Sequence, residues 1–201
     1  MRRFLAAAAF FLLPSLALAT EPSGPDDRPL ERAKALFDRL YADRCQTGSA
    51  SPEAPQHHVL SFKYPYQDAD EPPQEAHLFR FFCTRGAYNV THAYLLENQR
   101  GELGPLTFAT PALDIRYEDD ANERVEDIRF TGYETVEMLV NSHFDPQAQE
   151  IVSHMRWRGL GDASSSGAWE FRSGGFTLVK YEVDASYDAE VNPQVLLDFR
   201  D

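Results

Sequence analysis

From His57 to its end, the chain offers only short strand-like runs. Apolar or alternating stretches fall at 59–64, 78–84, 88–96, 106–108, 113–117, 128–131, 138–144, 151–157, 168–171, 176–183 and 195–199. Gly, Pro, Asn or Asp turn signals separate most of them. No helical stretch lies between any two, so the crossovers that a parallel sheet needs are missing. The expected fold is therefore mainly β: an antiparallel meander of about ten short strands, arranged as a sandwich, a barrel or a propeller-like body. With 43% apolar and 12% aromatic residues, the chain can fill such a core.

The N-terminal part differs. Arg2 and Arg3 precede an apolar run at 4–18 that ends on Ala17-Leu18-Ala19. This is the pattern of a signal peptide over 1–19, and the apolar run is too short to span a bilayer. A polar linker follows at 20–28. One helix is expected over 29–41, opening a single domain over 29–201. Pro29 suits the first turn, Glu31 faces the positive end of the helix dipole, and Leu30, Ala33, Phe37, Leu40 and Tyr41 make an apolar stripe. The expected location is the periplasm.

Charge narrows the choice of partners. The chain carries −13, and loss of the two leader arginines would take it to −15. That argues against a nucleic-acid binder, which needs a basic patch, and against anionic lipid surfaces. It allows attraction to cationic partners, which salt screens, although acidity that merely keeps an exported protein soluble is the simpler reading. The two cysteines, Cys45 and Cys83, are expected to form one disulfide in an oxidising compartment. A bridge across that separation is worth about 4 kcal/mol.

Two hairpins stand out. Arg85-Gly86-Ala87 turns one and Ser173-Gly174-Gly175 the other. In the first hairpin Phe79, Phe81 and Cys83 form the expected inward face. Asp145 to Gln149 is expected to turn a pairing of 138–144 with 151–157. Between these, Trp157-Arg158-Gly159-Leu160-Gly161-Asp162 and a Ser-rich run up to Trp169 form a structural corner. Its expected key residues are Gly159, Gly161, Asp162 and Trp169. Asp162 is expected to bond back to the following amides. A positive φ at Gly159 or Gly161 would make valine destabilising there.

Several motifs at the corner resemble a known family. Phe144-Asp145-Pro146, Arg158-Gly159-Leu160-Gly161-Asp162, Trp169, Phe171, Gly175, Phe176 and Leu178 are similar to the C-terminal half of exported Gram-negative proteins called DUF1176, a domain of unknown function. Cys83 followed by Gly86-Ala87-Tyr88-Asn89 extends the likeness upstream. The resemblance implies an exported β-rich protein and brings no established activity. It also implies a cysteine after the Gly-Asp pair, where Ala163 stands, and a partner within 184–188, where no cysteine occurs. The layout is similar, more distantly, to periplasmic β proteins that inhibit lysozymes.

No catalytic, cofactor or metal residues are assigned. Ser164, Ser165 and Ser166 lie near His154 and Asp162, but no Gly-x-Ser-x-Gly elbow surrounds them. The six histidines (His57, His58, His77, His92, His143 and His154) show no ligand spacing, though His143 and His154 can face each other across a hairpin. Asp119, Asp120 and Asn122 lack an EF-hand's glycine and spacing. Gly159-Leu160-Gly161 lacks the strand-loop-helix setting of a dinucleotide site. The expected role is a non-enzymatic envelope binding or inhibitory module, for a cationic envelope protein such as a lysozyme. The alternatives are an envelope hydrolase with a site assembled from distant residues, and a structural or stress-related accessory.

Overall fold

The computed structural model describes residues 28–200, so the expected leader at 1–19 and the linker up to residue 27 lie outside the described residues. Helix α1 spans Arg28–Tyr41. The strands are β1 (Gln56–Phe62), β2 (Gln74–Arg85), β3 (Val90–Glu97), β4 (Leu103–Pro105), β5 (Phe108–Tyr117), β6 (Val125–Val136), β7 (Met138–Val140), β8 (His143–Asp145), β9 (Glu150–Arg156), β10 (Ser164–Arg172), β11 (Gly175–Asp184) and β12 (Gln194–Asp198).

They form three antiparallel sheets. The first has the order β1-β2-β3-β4, with β7 also paired to β3. The second has the order β12-β11-β10-β9-β8. The third is a two-stranded ribbon, β5-β6. Neither large sheet closes on itself, which rules out a barrel. The two large sheets instead share a core in which Leu60, Leu78 and Tyr94 of the first meet Ile151, Trp169, Phe171 and Leu178 of the second. This burial is the main favourable term, as in any two-layer β body.

Helix α1 makes a third layer. Ala33, Phe37 and Tyr41 pack on Phe79, Phe81, Ala93 and Leu95 of the first sheet. Leu40, placed on the stripe by its spacing, is exposed instead. Strand β2 is thus buried on both faces. The parity of Phe79, Phe81 and Cys83 faces the helix, while Ala76 and Leu78 face the second sheet. The disulfide Cys45–Cys83 ties the segment after α1 to β2, with Cα atoms 4.2 Å apart. Cys83 stands at a bulge, where the β2–β3 register skips from Phe82 to Thr84. Its carbonyl accepts the Gln46 amide.

The structure corrects three sequence readings. Residues 138–144 are not one strand. Met138–Val140 pairs with β3 and His143–Asp145 with β9, because the chain changes sheets at Asn141. Asn141 has φ +44°, a conformation that asparagine tolerates, and its side chain accepts from the Val90 amide. Residues 108–117 run as one strand through Pro111, since β5 has a ladder on one side only and can spare an N–H. The Ser-rich run is not a loop: Ser164 to Gly167 are the first residues of β10.

Trp169 lies at the centre of β10, away from the corner to which the sequence reading assigned it. It is buried, its Nε1–H donates to the Ala109 carbonyl at 2.9 Å, and its ring meets Phe108 edge-on at 5.5 Å. Its indole lies over Gly167. A methyl group on Gly167 would stand 2.5 Å from the ring. Gly167→Ala is therefore expected to lower the urea midpoint, by about 1–3 kcal/mol of overpacking. Reducing Cys45–Cys83, which closes a 38-residue separation, should lower the melting temperature; an unchanged value would mean that the bridge contributes nothing.

Candidate functional site

The Arg158–Asp162 turn packs against the β2–β3 turn. Asn89 Nδ2 donates to the Arg156 carbonyl at 2.8 Å, and Asn141 Nδ2 donates to Asn89 Oδ1 at 2.9 Å and to the His154 carbonyl at 2.9 Å. Tyr88 donates to the Trp157 carbonyl and covers Gly159. Gly86-Ala87-Tyr88-Asn89 and Arg158 to Asp162, far apart in sequence, thus meet at one end of the molecule.

Asp162 organises this junction. It is 1% exposed. Arg158 Nε donates to Oδ1 at 2.7 Å and the terminal amine to Oδ2, while the Ala189 amide donates to Oδ2 at 2.8 Å. The local Ala163 amide also contributes, as an Asx-type turn implies. The same Arg158 donates to the Tyr187 carbonyl and lies over the Tyr187 ring. Bonding to Arg158 first, and to the amides next, holds the Asp162 carboxyl well below the usual carboxylate range. Gly161 has φ +81°; Gly159 does not lie in the left-handed region. Only one of the two glycines is therefore required by backbone conformation.

A second polar cluster lies on the inner face of the first sheet. Arg80 approaches His92 Nε2 at 2.5 Å, His92 Nδ1 lies 3.3 Å from Ser142 Oγ, and Tyr94 donates to Ser142 Oγ at 3.0 Å. Glu53 stands 3.3 Å from His92 Nε2 and 3.4 Å from Arg80. Serine, histidine and carboxylate converge here, but Arg80 and Glu53 both engage Nε2 and Tyr94 donates to Ser142 Oγ, so the groups satisfy one another within the sheet. Ser142 is also 2% exposed. Burial first, and Arg80 second, push the His92 pKa down to about 4.

The outer face of the second sheet carries an open groove of about 330 Å³ lined by His143, His154, Ser166, Lys180 and Glu182. His154 Nδ1 and Ser166 Oγ are 2.9 Å apart. The two histidines thus share one face, as their spacing allows. Ser166 sits mid-strand in β10, which is bonded to β9 and β11 on both sides. The ladder uses its amides and leaves no pair aimed at a developing oxyanion. Asp162 is committed to Arg158, Ser165 accepts from Trp157 Nε1, and Ser164 is buried. Asp119 accepts the Glu123 and Arg124 amides and closes the β5–β6 turn. Among the described residues, no three His, Cys, Asp or Glu side chains gather to hold a metal ion.

The profile described as "Protein of unknown function (DUF1176)" matches residues 13–186. The chain belongs to the DUF1176 family. No curated protein matches it, and no solved structure does. In this DUF1176 chain Ala163 and Ala185 are both buried, each one residue beyond the Ser164–Asp184 pair of the β10–β11 ladder. Ala163 is where the resemblance implied one cysteine, and Ala185 lies within the 184–188 range where it implied the partner. Among the described residues, no helix is long and apolar enough to cross a membrane.

Arg158, Asn89, Asn141, Glu53, Arg80, His92 and Ser142 received no role from sequence reasoning. Only Arg158, four residues from Asp162, carried a local signal; the others act through contacts between distant segments.

Valine is expected to cost about 1–3 kcal/mol more at Gly161 than at Gly159, as read by urea unfolding. Two pH windows separate the polar clusters. The folded-state pKa of His92 lies below its ordinary value of 6.5, so the unfolded chain takes the proton first, and stability should fall as pH drops from 6.5 toward 4. His92→Gln should flatten that window. The depressed carboxyl of Asp162 acts lower: its contribution is complete above the ordinary 3.8 and is lost as pH falls below it, and Asp162→Asn should remove that loss.

Proposed function

We propose that this DUF1176 protein is a non-enzymatic, periplasmic binding module whose partner is a cationic protein. The β5–β6 ribbon carries this reading. Between residues 108 and 136 it holds eight acids against three arginines. Those arginines are engaged within the ribbon: Arg116 with Asp127, Arg124 with Glu118 and Arg129 with Asp114. Asp120, Glu123 and Glu134 remain in excess. Beside them Phe130 (44% exposed) and Tyr133 (55% exposed) meet edge-on at 5.0 Å. An exposed aromatic pair inside an acidic field is suited to anchor on a basic surface, the acids steering the encounter and the rings supplying contact area.

The ribbon is held at both ends. Phe108 packs on Trp169, while Tyr117 donates to the Ala185 carbonyl and the Tyr187 amide donates to the Asn122 carbonyl. Its outer strand β6 pairs only with β5 among the described residues. A pre-ordered, half-exposed strap of this kind loses little entropy on binding. The periplasmic part of the proposal rests on the leader pattern at 1–19 and on the Cys45–Cys83 bridge, since such bridges persist in oxidising compartments.

A basic lysozyme is the first partner to test. A complex is expected at low salt, weakened at high salt, with lysozyme activity reduced. Phe130→Ser with Tyr133→Ser should weaken it about tenfold or more. Unchanged lysozyme activity at excess protein, with no complex by sedimentation, would remove this partner.

A further inference from the structure

The ribbon also walls a cleft, on the face opposite Phe130 and Tyr133. Successive strand residues point to opposite faces, so Glu134 turns away from Tyr133, its neighbour in β6. Its partner across the ribbon is Thr110. Between this end of the ribbon, β7 and strands β9 to β11 lies a cleft of about 130 Å³. That is smaller than a drug-sized site and suits a single side chain.

Its walls are apolar and open to contact. Met155 is 42% exposed, and Val136, Met138, Val140 and Tyr181 are half-buried. The two thioethers are unbranched and polarisable, so they adapt to an inserted chain. The charge is of one sign. Glu134 is the one charged side chain lining the cleft among the described residues. It is exposed, it makes no ion pair with them, and its Oε1 lies 3.5 Å from the Thr110 hydroxyl. Burial raises the Tyr181 pKa, a bond to Ser165 lowers it and Glu134 raises it, with a net rise, so the phenol adds no charge. One carboxylate beside an apolar cleft complements a side chain with an apolar stem and a cationic tip. The carboxylate and the hydroxyl next to it supply acceptors for the several donors of such a tip.

We propose that this cleft receives one basic side chain of the ribbon's protein partner, with the stem along Val136, Met138 and Met155 and the cation at Glu134. The proposal rests on the reading of the ribbon as a surface for a cationic protein, and it names the group that enters. Thr110, Glu134 and Val136 belong to the ribbon itself, so the cleft is continuous with that surface.

The test uses the oxidised protein, isotope-labelled at its methionine methyls, and two probes with similar stems. By NMR, N-acetyl-lysine methylamide should shift the methyls of Met138 and Met155. It should bind about three- to fivefold more tightly than N-acetyl-norleucine methylamide, which lacks the charge. Glu134→Gln, a near-isosteric change at an exposed position, should remove that preference and leave the urea midpoint unchanged. The same variant should weaken the complex with a basic lysozyme about threefold or more. The probe arm needs no partner, so the two readings fail separately: a bound lysine probe with no lysozyme complex would keep the cleft and remove lysozyme as the ribbon's partner. Equal binding of the two probes, a preference that survives Glu134→Gln, shifts confined to other residues, or a lysozyme complex unaffected by Glu134→Gln would each overturn the proposal.

Discussion

The contact on which this fold depends is the indole of Trp169 packed against Gly167. Both residues belong to β10, the central strand of the second sheet, and only an absent side chain lets the ring fold back across its own strand. From that position Trp169 reaches three parts of the molecule. It closes the core between the two large sheets, meets Phe108 at the base of the ribbon, and donates to the Ala109 carbonyl. A buried indole with its N–H satisfied supplies apolar area without leaving a donor unpaired. The ribbon can therefore leave most of β6 open to solvent while one end stays fixed.

Polar contacts between segments do the rest of the positioning. Asn141 lets the chain step from one sheet to the other and bonds across the step to Val90, Asn89 and His154. Asp162, with Arg158, fixes the β9–β10 turn against the loop after β11. His92 links Arg80 to Ser142 inside the first sheet. In each case a buried polar group is satisfied by partners from another segment, which is the condition for leaving such groups in a core. Residues that look catalytic by type thus serve as ties.

The surface proposed for recognition is the acidic ribbon with Phe130 and Tyr133, and the chain's overall charge favours the approach of cationic groups. Gly86 to Asn89 and Arg158 to Asp162, which carried the resemblance, lie away from the ribbon and meet each other at the junction of the sheets.

Sequence by itself determined the local elements: the helix from its spacing and Pro29, the strands from alternation, the 173–175 turn from its glycines, the disulfide from an even cysteine count. These follow from short-range sterics and periodicity, which a single sequence displays. Tertiary structure alone decided that β2 is buried on both faces, that 138–144 divides between two sheets, that 108–117 continues through Pro111, and that Trp169 belongs to the core and not to the corner. It also brought Glu53, Arg80, His92 and Ser142 together. Each of those outcomes depends on which distant segment satisfies a buried face or a backbone amide. Such a choice is made by the free energy of the whole assembly, and no window of neighbouring residues records it.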